Sequence, residues 1–147
     1  MLVSGDVTII VEEYVALDRD SRLVTTCAEC TITLYIDGDD YEEAPNAIQL
    51  DQGALLSANS EPTQFTIYVT GTEDSARTVQ MDQSSQMHAA LHAPLSPLSM
   101  DQSSQLFGAA IAHSIQMDQL SKVHFDEALA SSGGSGSAAQ VQSWREL

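Results

Sequence analysis

A short phrase occurs three times in the second half of this sequence and constrains its fold more than any other feature. The letters MDQSS begin at Met81 and again at Met100, and MDQLS begins at Met117. The first two copies are 19 residues apart (81 to 100) and the last two are 17 apart (100 to 117). A period this short excludes repeats of two helices and is typical of one rung of a β-solenoid. We therefore predict a structure that is built by stacking short rungs.

The composition is that of one folded and strongly acidic domain. The chain has 147 residues, of which 43% are apolar, and this is enough to bury a core and excludes a wholly disordered chain. The 21 acidic residues outnumber the 5 basic ones, and the formal net charge is −16. A surface this negative repels nucleic acid and anionic lipid, so we expect no nucleic-acid partner.

The sequence indicates neither a membrane span nor a leader. No run of about 18 apolar residues occurs, and residues 1–6 lack the basic and apolar regions of a signal peptide. We therefore expect no membrane insertion by this stretch of chain. Because a strand-like run at 7–11 follows at once, we expect the sequence to be a fragment whose upstream part is absent.

Strand-like segments fill the first half of the chain, and each is short, rich in β-branched and aromatic residues and bounded by Asp, Gly or Ser. The predicted strands cover 7–11, 14–17, 22–25, 31–36, 48–50 and 65–69, and loops are predicted at 37–46 and 71–77. No helical period occurs before Ala128. The sequence therefore predicts an all-β solenoid domain over 1–129, followed by a Ser/Gly linker and a capping segment over 130–147.

Equivalent side chains of successive rungs should stack into ladders, because neighbouring parallel strands lie about 4.8 Å apart. The predicted inward-facing pairs are Val79 with Met81, Leu98 with Met100, and Ile115 with Met117. The second strand of each rung is predicted to set Met87, Ala89 and Leu91 below Phe107, Ala109 and Ile111. The methionines interpreted as core filling are Met81, Met87, Met100 and Met117.

Several segments are similar to a known family, namely 32–38, 67–71, 92–94, 106–110, 123–129 and 143–147. Together they resemble the right-handed β-helix domain near the C-terminus of PilX-type pilus-assembly proteins, over nearly the whole chain. The resemblance implies a right-handed parallel β-helix, a type IV pilus or cell-surface context, and no assigned catalytic residue. Members carry an apolar helix upstream and a glycine within the repeated phrase, where this sequence has Asp-Gln.

The aspartates of the repeated phrase are the first candidate site. Asp82, Asp101 and Asp118 should form a column, in which two carboxylates about 5 Å apart repel by roughly 0.8 kcal/mol in water. Such a column is a candidate site for Ca²⁺, whose ligands are oxygens. The alternative, which we favour, is that each Asp accepts a backbone N–H within its own turn.

An acidic loop that includes Asp37 and Asp39 is the second candidate and superficially resembles a calcium loop. The EF-hand spacing is incomplete, because the twelfth position counted from Asp37 is Ile48 rather than Glu. We favour a solvated loop and keep Asp37 and Asp39 as calcium candidates. We expect no cofactor, with Ca²⁺ as the one candidate.

Cys27 and Cys30 form the third candidate. Without a second CxxC or a nearby pair of histidines they make a poor zinc site. In an exported protein they would form a local disulfide, whereas in the cytosol they would be two free thiols. The histidines have no triad-like neighbours in sequence and are interpreted as surface or turn residues: His88, His92, His113 and His124.

The solenoid pattern predicts a non-enzymatic structural or adhesive module, and the resemblance implies that it is extracellular or on the cell surface and associated with a type IV pilus-like machine. Its partners would be pilus or cell-surface components, surface glycans among them. One alternative is a self-polymerising scaffold similar to bactofilins, which associates end to end. Another is a calcium-dependent carbohydrate-binding or lyase β-helix, which is weaker because an acidic sugar would meet few basic residues.

The end of the chain carries a further expectation. Trp144 is predicted to dock on the last rung and shield its open strand edge, since an uncapped solenoid end invites polymerisation. Deletion of 130–147 should therefore promote self-association.

Overall fold

The computed structural model describes residues 5–25, 27–37, 45–58, 60–72 and 77–132 of the chain. Almost all of its regular structure is strand, which confirms the predicted all-β class. The strands are β1 Val7–Val11, β2 Val15–Leu17, β3 Arg22–Thr25, β4 Ile32–Asp37, β5 Asn46–Leu50, β6 Leu55–Ala58, β7 Phe65–Thr70, β8 Thr78–Met81, β9 Gln86–Met100, β10 Gln105–Met117 and β11 Lys122–Phe125. A 3₁₀ helix at Pro62–Gln64 and the helix α1 at Ala128–Ser132 complete the described elements.

Every strand pairing in these residues is parallel, and the pairings sort the strands into three columns. Column A contains β1, β4, β7 and the middle parts of β9 and β10. Column B contains β2, β5, β8 and the C-terminal parts of β9 and β10. Column C contains β3, β6, the N-terminal parts of β9 and β10, and β11. The columns belong to one parallel sheet that curls around the apolar side chains.

The chain visits columns A, B and C in that order and then returns to A. One such passage is called a rung below, and the five rungs span 7–25, 32–58, 65–88, 90–108 and 109–125. Strands β9 and β10 each run through more than one column without a break, whereas the first two rungs use separate strands. The fourth and fifth rungs span 19 and 17 residues (90 to 108 and 109 to 125), which are the two spacings of the repeated phrase.

Alternation of side chains along each strand builds the core. In β9, Met87, Ala89 and Leu91 are buried, whereas the residue that follows each of them is more exposed: His88, Ala90 and His92. This period of two arises because successive side chains of a strand point to opposite faces. The inward-facing ladders of column B are Val15, Ile48, Val79, Leu98 and Ile115, and Leu17, Leu50, Met81, Met100 and Met117.

The predicted pairing of methionines in successive rungs is confirmed, but one of the four methionines is not buried. Met81 pairs with Met100, and Met100 pairs with Met117. Met81, Met87 and Met100 are fully buried, so they fill the core as predicted. Met117 is 46% exposed, because it lies on the last rung and no described strand follows it.

One predicted register is wrong by a single residue. The observed pairs are Met87 with Leu106, Ala89 with Gly108 and Leu91 with Ala110. The predicted partners Phe107, Ala109 and Ile111 each follow these residues by one position and are not buried. A shift of one residue would move every side chain of the strand to the other face of the sheet. The buried ladder instead keeps the 19-residue spacing of the repeated phrase, from Met87 to Leu106.

Two elements were not indicated by the sequence pattern. The strand β6, Leu55–Ala58, contains Ser57 and Ala58, which do not favour strands, yet it forms because it pairs with β3 and β9. Helix α1 crosses the boundary predicted between 129 and 130. The capping segment beyond 132, the loop residues 38–44 and 73–76, and the candidate Asp39 lie outside the described residues.

Candidate functional site

Five turns of the same construction connect column B to column C, one in each rung. The turns begin at Asp18, Asp51, Asp82, Asp101 and Asp118. In each, the two residues that follow the aspartate have positive φ, for example 48° at Gln83 and 64° at Ser84. Each turn after the first is hydrogen-bonded to the strand end of the rung before it; for example, the N–H of Asp101 donates to the carbonyl of Met81, the residue before Asp82, at 2.9 Å. The aspartates therefore form a column along one corner of the sheet.

The aspartate side chains complete these turns. Oδ1 of Asp82 accepts the N–H of Gln83 at 2.8 Å, and Oδ1 of Asp101 accepts the N–H of Gln102 at 2.7 Å. The same contact occurs in the turns of Asp51 and Asp118. The carbonyl of each of these aspartates also accepts the N–H three residues on, as Asp101 does from Ser104 at 3.0 Å. This is the backbone contact that the turn interpretation predicted.

The structure gives each of these carboxylates a hydrogen bond within its own turn. Among the residues that the structure describes, no group of three or more His, Cys, Asp or Glu side chains is placed to hold a metal ion. Asp37 is the exposed last residue of β4. The Ca²⁺ hypothesis for Asp82, Asp101, Asp118 and the acidic loop stays a prediction.

The turns at Asp18 and Asp51 were missed by sequence reasoning, although a signal for them exists. In all five turns the Asp is the last residue of the same four-residue pattern, apolar-x-apolar-Asp. The five copies are VALD, IQLD, VQMD, LSMD and IQMD. This pattern is shorter and more tolerant than the repeated MDQSS phrase. It marks the last strand residues of column B, whose two apolar side chains point inward.

A ladder of serines lies beside the aspartate turns. Ser85 and Ser104 are fully buried, and their hydroxyl oxygens have no hydrogen-bond partner within the protein. The hydroxyl of Ser121 in the last rung shares this state, and the equivalent residue of the second rung is the buried Ala54. A buried hydroxyl without a partner is unfavourable relative to one in water. This ladder contributes little to stability.

Cys27 and Cys30 form a disulfide, with Cα atoms 5.4 Å apart. The bridge closes the short connection between β3 and β4, where column C leads back to column A. Cys30 is buried, and the N–H of Gly5 donates to its sulfur at 3.0 Å. Of the two alternatives left open by the sequence, the structure contains the disulfide.

Two ladders of aromatic rings run along the outer face of the sheet. In column A, the rings of Tyr35 and Tyr68 stack with centroids 5.0 Å apart, and His92 follows 5.6 Å from Tyr68. In column C, Phe107 stacks between His88 and His124 with both centroid distances at 4.4 Å. Such stacks follow from parallel pairing in register, which places equivalent side chains at the strand spacing.

Three of the four histidines, His88, His92 and His124, take part in these ladders. Nε2 of His124 lies 3.1 Å from Oε1 of Gln105, an amide, whereas a general base is usually oriented by a carboxylate. Desolvation lowers the pKa of His88 below its ordinary value, and a hydrogen bond with the backbone of Ser60 opposes that shift. His92 and His113 are exposed on β9 and β10.

Each aromatic ladder opens into a shallow groove. The groove of column C has a volume of about 320 Å³, and its lining includes His88, Phe107, His124, Glu61, Asp126 and Glu127. The groove of column A has a volume of about 470 Å³, and its lining includes Thr63, Thr66, Tyr68, His92, Ile111 and Leu129. Both combine aromatic rings with hydrogen-bonding side chains, so they can hold a ligand by stacking and polar contacts.

Residues 2–132 match the model of a family described as a domain of unknown function, DUF7305. The chain belongs to the DUF7305 family. No curated protein and no solved structure matches the sequence significantly. The match reaches the last residue of α1, so the whole three-column sheet is the DUF7305 domain of this chain.

A buried arginine joins three rungs of the DUF7305 domain. Arg77 is 4% exposed and directly precedes β8 in the third rung. Its Nη2 donates to the backbone carbonyls of Glu13 in the first rung and Asp37 in the second. Sequence reasoning placed Arg77 at the end of a loop, and no local pattern indicates this contact. The side chain therefore links the connections between columns A and B in the first three rungs.

The helices of the DUF7305 domain are short. No helix within the described ranges has both the length and the apolar character needed to cross a bilayer.

Proposed function

We propose that this chain is a non-enzymatic structural and adhesive module: a right-handed parallel β-helix displayed on the cell surface as part of a type IV pilus-like assembly. The observation that carries the proposal is the register of the three columns, in which each strand pairs in parallel with the strand one rung away. Right-handed connection of parallel strands is the strong preference in proteins. The resemblance to PilX-type proteins supplies the pilus context.

Continuous backbone ladders suit a mechanical role. Five rungs share hydrogen bonds along all three columns, and side-chain ladders fill the interior. In such a stack each rung contacts only the rungs before and after it, so hydrogen bonds run along the whole column. A module of this kind holds a binding surface away from its attachment point.

The disulfide supports a location outside the cytosol. Disulfides form and persist in oxidising compartments and are rare among cytosolic proteins. The Cys27–Cys30 bridge closes a corner of the described sheet, and Cys30 is buried. An excess of acidic residues also suits an exposed protein, since high net charge keeps proteins soluble.

The two aromatic grooves supply the adhesive surface. Their rings and hydroxyls match the apolar faces and hydroxyl groups of sugars, and the net charge of −16 disfavours acidic glycans. We therefore assign neutral glycans as the ligand class. The column A groove is the larger of the two and contains Tyr68 and His92.

A glycan array on the purified chain tests the adhesive role. Neutral glycans should bind, acidic ones should not, and Tyr68→Ala should reduce binding at least about tenfold because a stacking ring is removed. Tyr14→Ala is the matched control, since Tyr14 lies between β1 and β2 and lines neither groove. Absence of binding to every glycan, or an equal loss in both variants, would exclude adhesion through this groove.

Surface display needs its own test in cells that produce the full natural protein. Protease treatment of intact cells should remove the domain, and cross-linking should join it to pilus subunits. Protection from protease in intact cells would contradict the surface location.

A self-polymerising scaffold similar to bactofilins is the second candidate function, and one observation favours it. The last rung leaves apolar side chains exposed, including Ile115 and Met117. A second copy stacked there would continue the ladders. Filaments of the full chain in sedimentation or electron microscopy would support this function over the adhesive one.

A further inference from the structure

The last rung of the sheet is uncovered in a way that the preceding rung is not. In the fourth rung, Leu98, Met100 and Leu106 are at most 1% exposed. Their neighbours in the same ladders of the fifth rung are Ile115, Met117 and Val123, which are 49%, 46% and 40% exposed. These side chains face the same interior, so their exposure means that one layer of contacts is lacking on their outer side.

The backbone of this rung is open as well. Residues 109–117 of β10 and all of β11 pair with the fourth rung on one side, and no described strand pairs with them on the other. An exposed strand edge next to apolar side chains is a docking surface for another segment of chain. We call this surface, formed by Ile115, Met117, Val123 and Phe125, the end face.

We propose that residues 138–147 of this same chain fold back over the end face and cover it. The proposal does not depend on the adhesive or pilus role proposed above. It identifies the occupant of an interaction surface, and the arguments for it are the reach, the composition and the charge of this segment.

The reach is sufficient. Helix α1 begins three residues after the end of β11, contacts the 3₁₀ helix Pro62–Gln64 on the outer face, and ends at Ser132. Residues 133–137 read GGSGS, and a Gly/Ser stretch of this length has a mean span of about 12 Å and a full stretch of about 17 Å. This length tethers residues 138–147 to the domain within reach of its last rung, at an effective concentration on the order of millimolar.

The composition of the segment complements the end face. Val141, Trp144 and Leu147 are its large apolar residues, and they recur every third position. Trp144 is the only tryptophan of the chain, and a buried Trp supplies a large apolar contact area. Arg145, one of only five basic residues, would approach a rim that carries Asp118 and Asp126.

Charge favours this segment over a second copy of the chain. Residues 138–147 contain one basic residue, Arg145, and one acidic residue, Glu146, so their side chains sum to zero. A second copy would bring a net charge of −16 against another −16. If it continued the register, its Arg22 would also lie next to Lys122, because these residues occupy the same ladder of column C.

Trp144 fluorescence of the full chain tests the proposal, because it reports this one residue. In the folded protein the emission should be blue-shifted relative to the urea-unfolded chain, and acrylamide should quench it less. Met117→Asp on the end face should shift the emission to the red and increase quenching. Ile10→Asp is the matched control, because Ile10 is 75% exposed on the first rung, at the opposite end of the sheet.

Circular dichroism establishes that each variant is folded, and Val123→Asp serves as a second end-face variant if Met117→Asp fails to fold. The expected result is a red shift in both end-face variants and none in the control. Emission typical of exposed Trp in the wild type would overturn the proposal, as would an equal shift in Ile10→Asp. A blue shift that disappears on dilution, together with dimers in light scattering, would assign the end face to a second copy instead.

Discussion

The corner between columns B and C is built in the same way in all five rungs, whereas the corner between columns C and A differs from rung to rung. The first corner repeats one two-residue turn that begins at an aspartate. The second is closed by the Cys27–Cys30 disulfide, then by the 3₁₀ helix Pro62–Gln64, and then crossed by β9 and β10 without a turn. A corner defined by local hydrogen bonds repeats, while one defined by contacts between distant segments varies.

Glycine substitution should separate the two corners most strongly. At Gly108, in the varied corner, a Cβ would lie 2.1 Å from the carbonyl oxygen of Ala89, and φ is +136°. Gly108→Ala should therefore lower the free energy of unfolding by about 3 kcal/mol or more, measured by urea denaturation. Gly108 in β10 pairs with Ala89 in β9, so this clash cannot relax unless one of the two paired strands moves away from the other.

Gly53→Ser, in the uniform corner, is the matched control. The nearest atom to its Cβ is Oδ1 of the exposed Asp20 side chain, which can move. Ser84 and Ser103 already occupy the equivalent position with φ of 64° and 66°. The expected loss is about 1 kcal/mol or less, and a loss as large as that of Gly108→Ala would contradict the distinction between the corners.

Removal of an aspartate turn contact should have an intermediate effect. Asp101→Ala takes away the acceptor for the N–H of Gln102, and we expect unfolding to become easier by about 1 kcal/mol. Asp101→Asn keeps an oxygen acceptor and should lose less. If the two variants were equally stable in urea denaturation, the side-chain contact would not be what stabilises this corner.

Removal of a buried serine hydroxyl should have the smallest effect, and its sign should be reversed. Ser104→Ala eliminates a buried oxygen without a partner, so stability should stay the same or rise by up to about 1 kcal/mol. The buried Ala54 shows that this position accepts alanine in the second rung. A clear loss in thermal or urea unfolding would indicate that the hydroxyl makes a contact that stabilises the corner.

Much of the fold could be predicted because its strongest signals are local. The repeated phrase predicted stacked rungs, and the ladders of Val79 with Leu98 and Met81 with Met100 occur as expected. The strand β6 and the turns at Asp18 and Asp51 were missed, because their sequences depart from the phrase while keeping its shape. Their partners in neighbouring rungs stabilise them, and those partners are distant in sequence.

The candidate site was predicted less completely. The sequence singled out Asp82, Asp101 and Asp118, and the structure places them in equivalent turns with the backbone contacts expected of turn residues. It did not indicate the aromatic ladders, because Tyr35, Tyr68 and His92 have no common spacing in sequence. Whether these rings stack depends on the number of residues that connect the strands within each rung.

The sequence by itself determined the rung. A rung consists of a strand end of the form apolar-x-apolar-Asp, a tight turn, and a strand whose side chains alternate between the two faces, and all three depend on neighbours a few residues away. Only the tertiary structure decided the register that pairs Met87 with Leu106 rather than Phe107, and the contacts of Arg77 with Glu13 and Asp37. The physical reason is that parallel pairing joins segments 17 to 33 residues apart, as from Met100 to Met117 and from Ile32 to Phe65. At such separations the inserted chain length, and not the local pattern, decides which side chains meet.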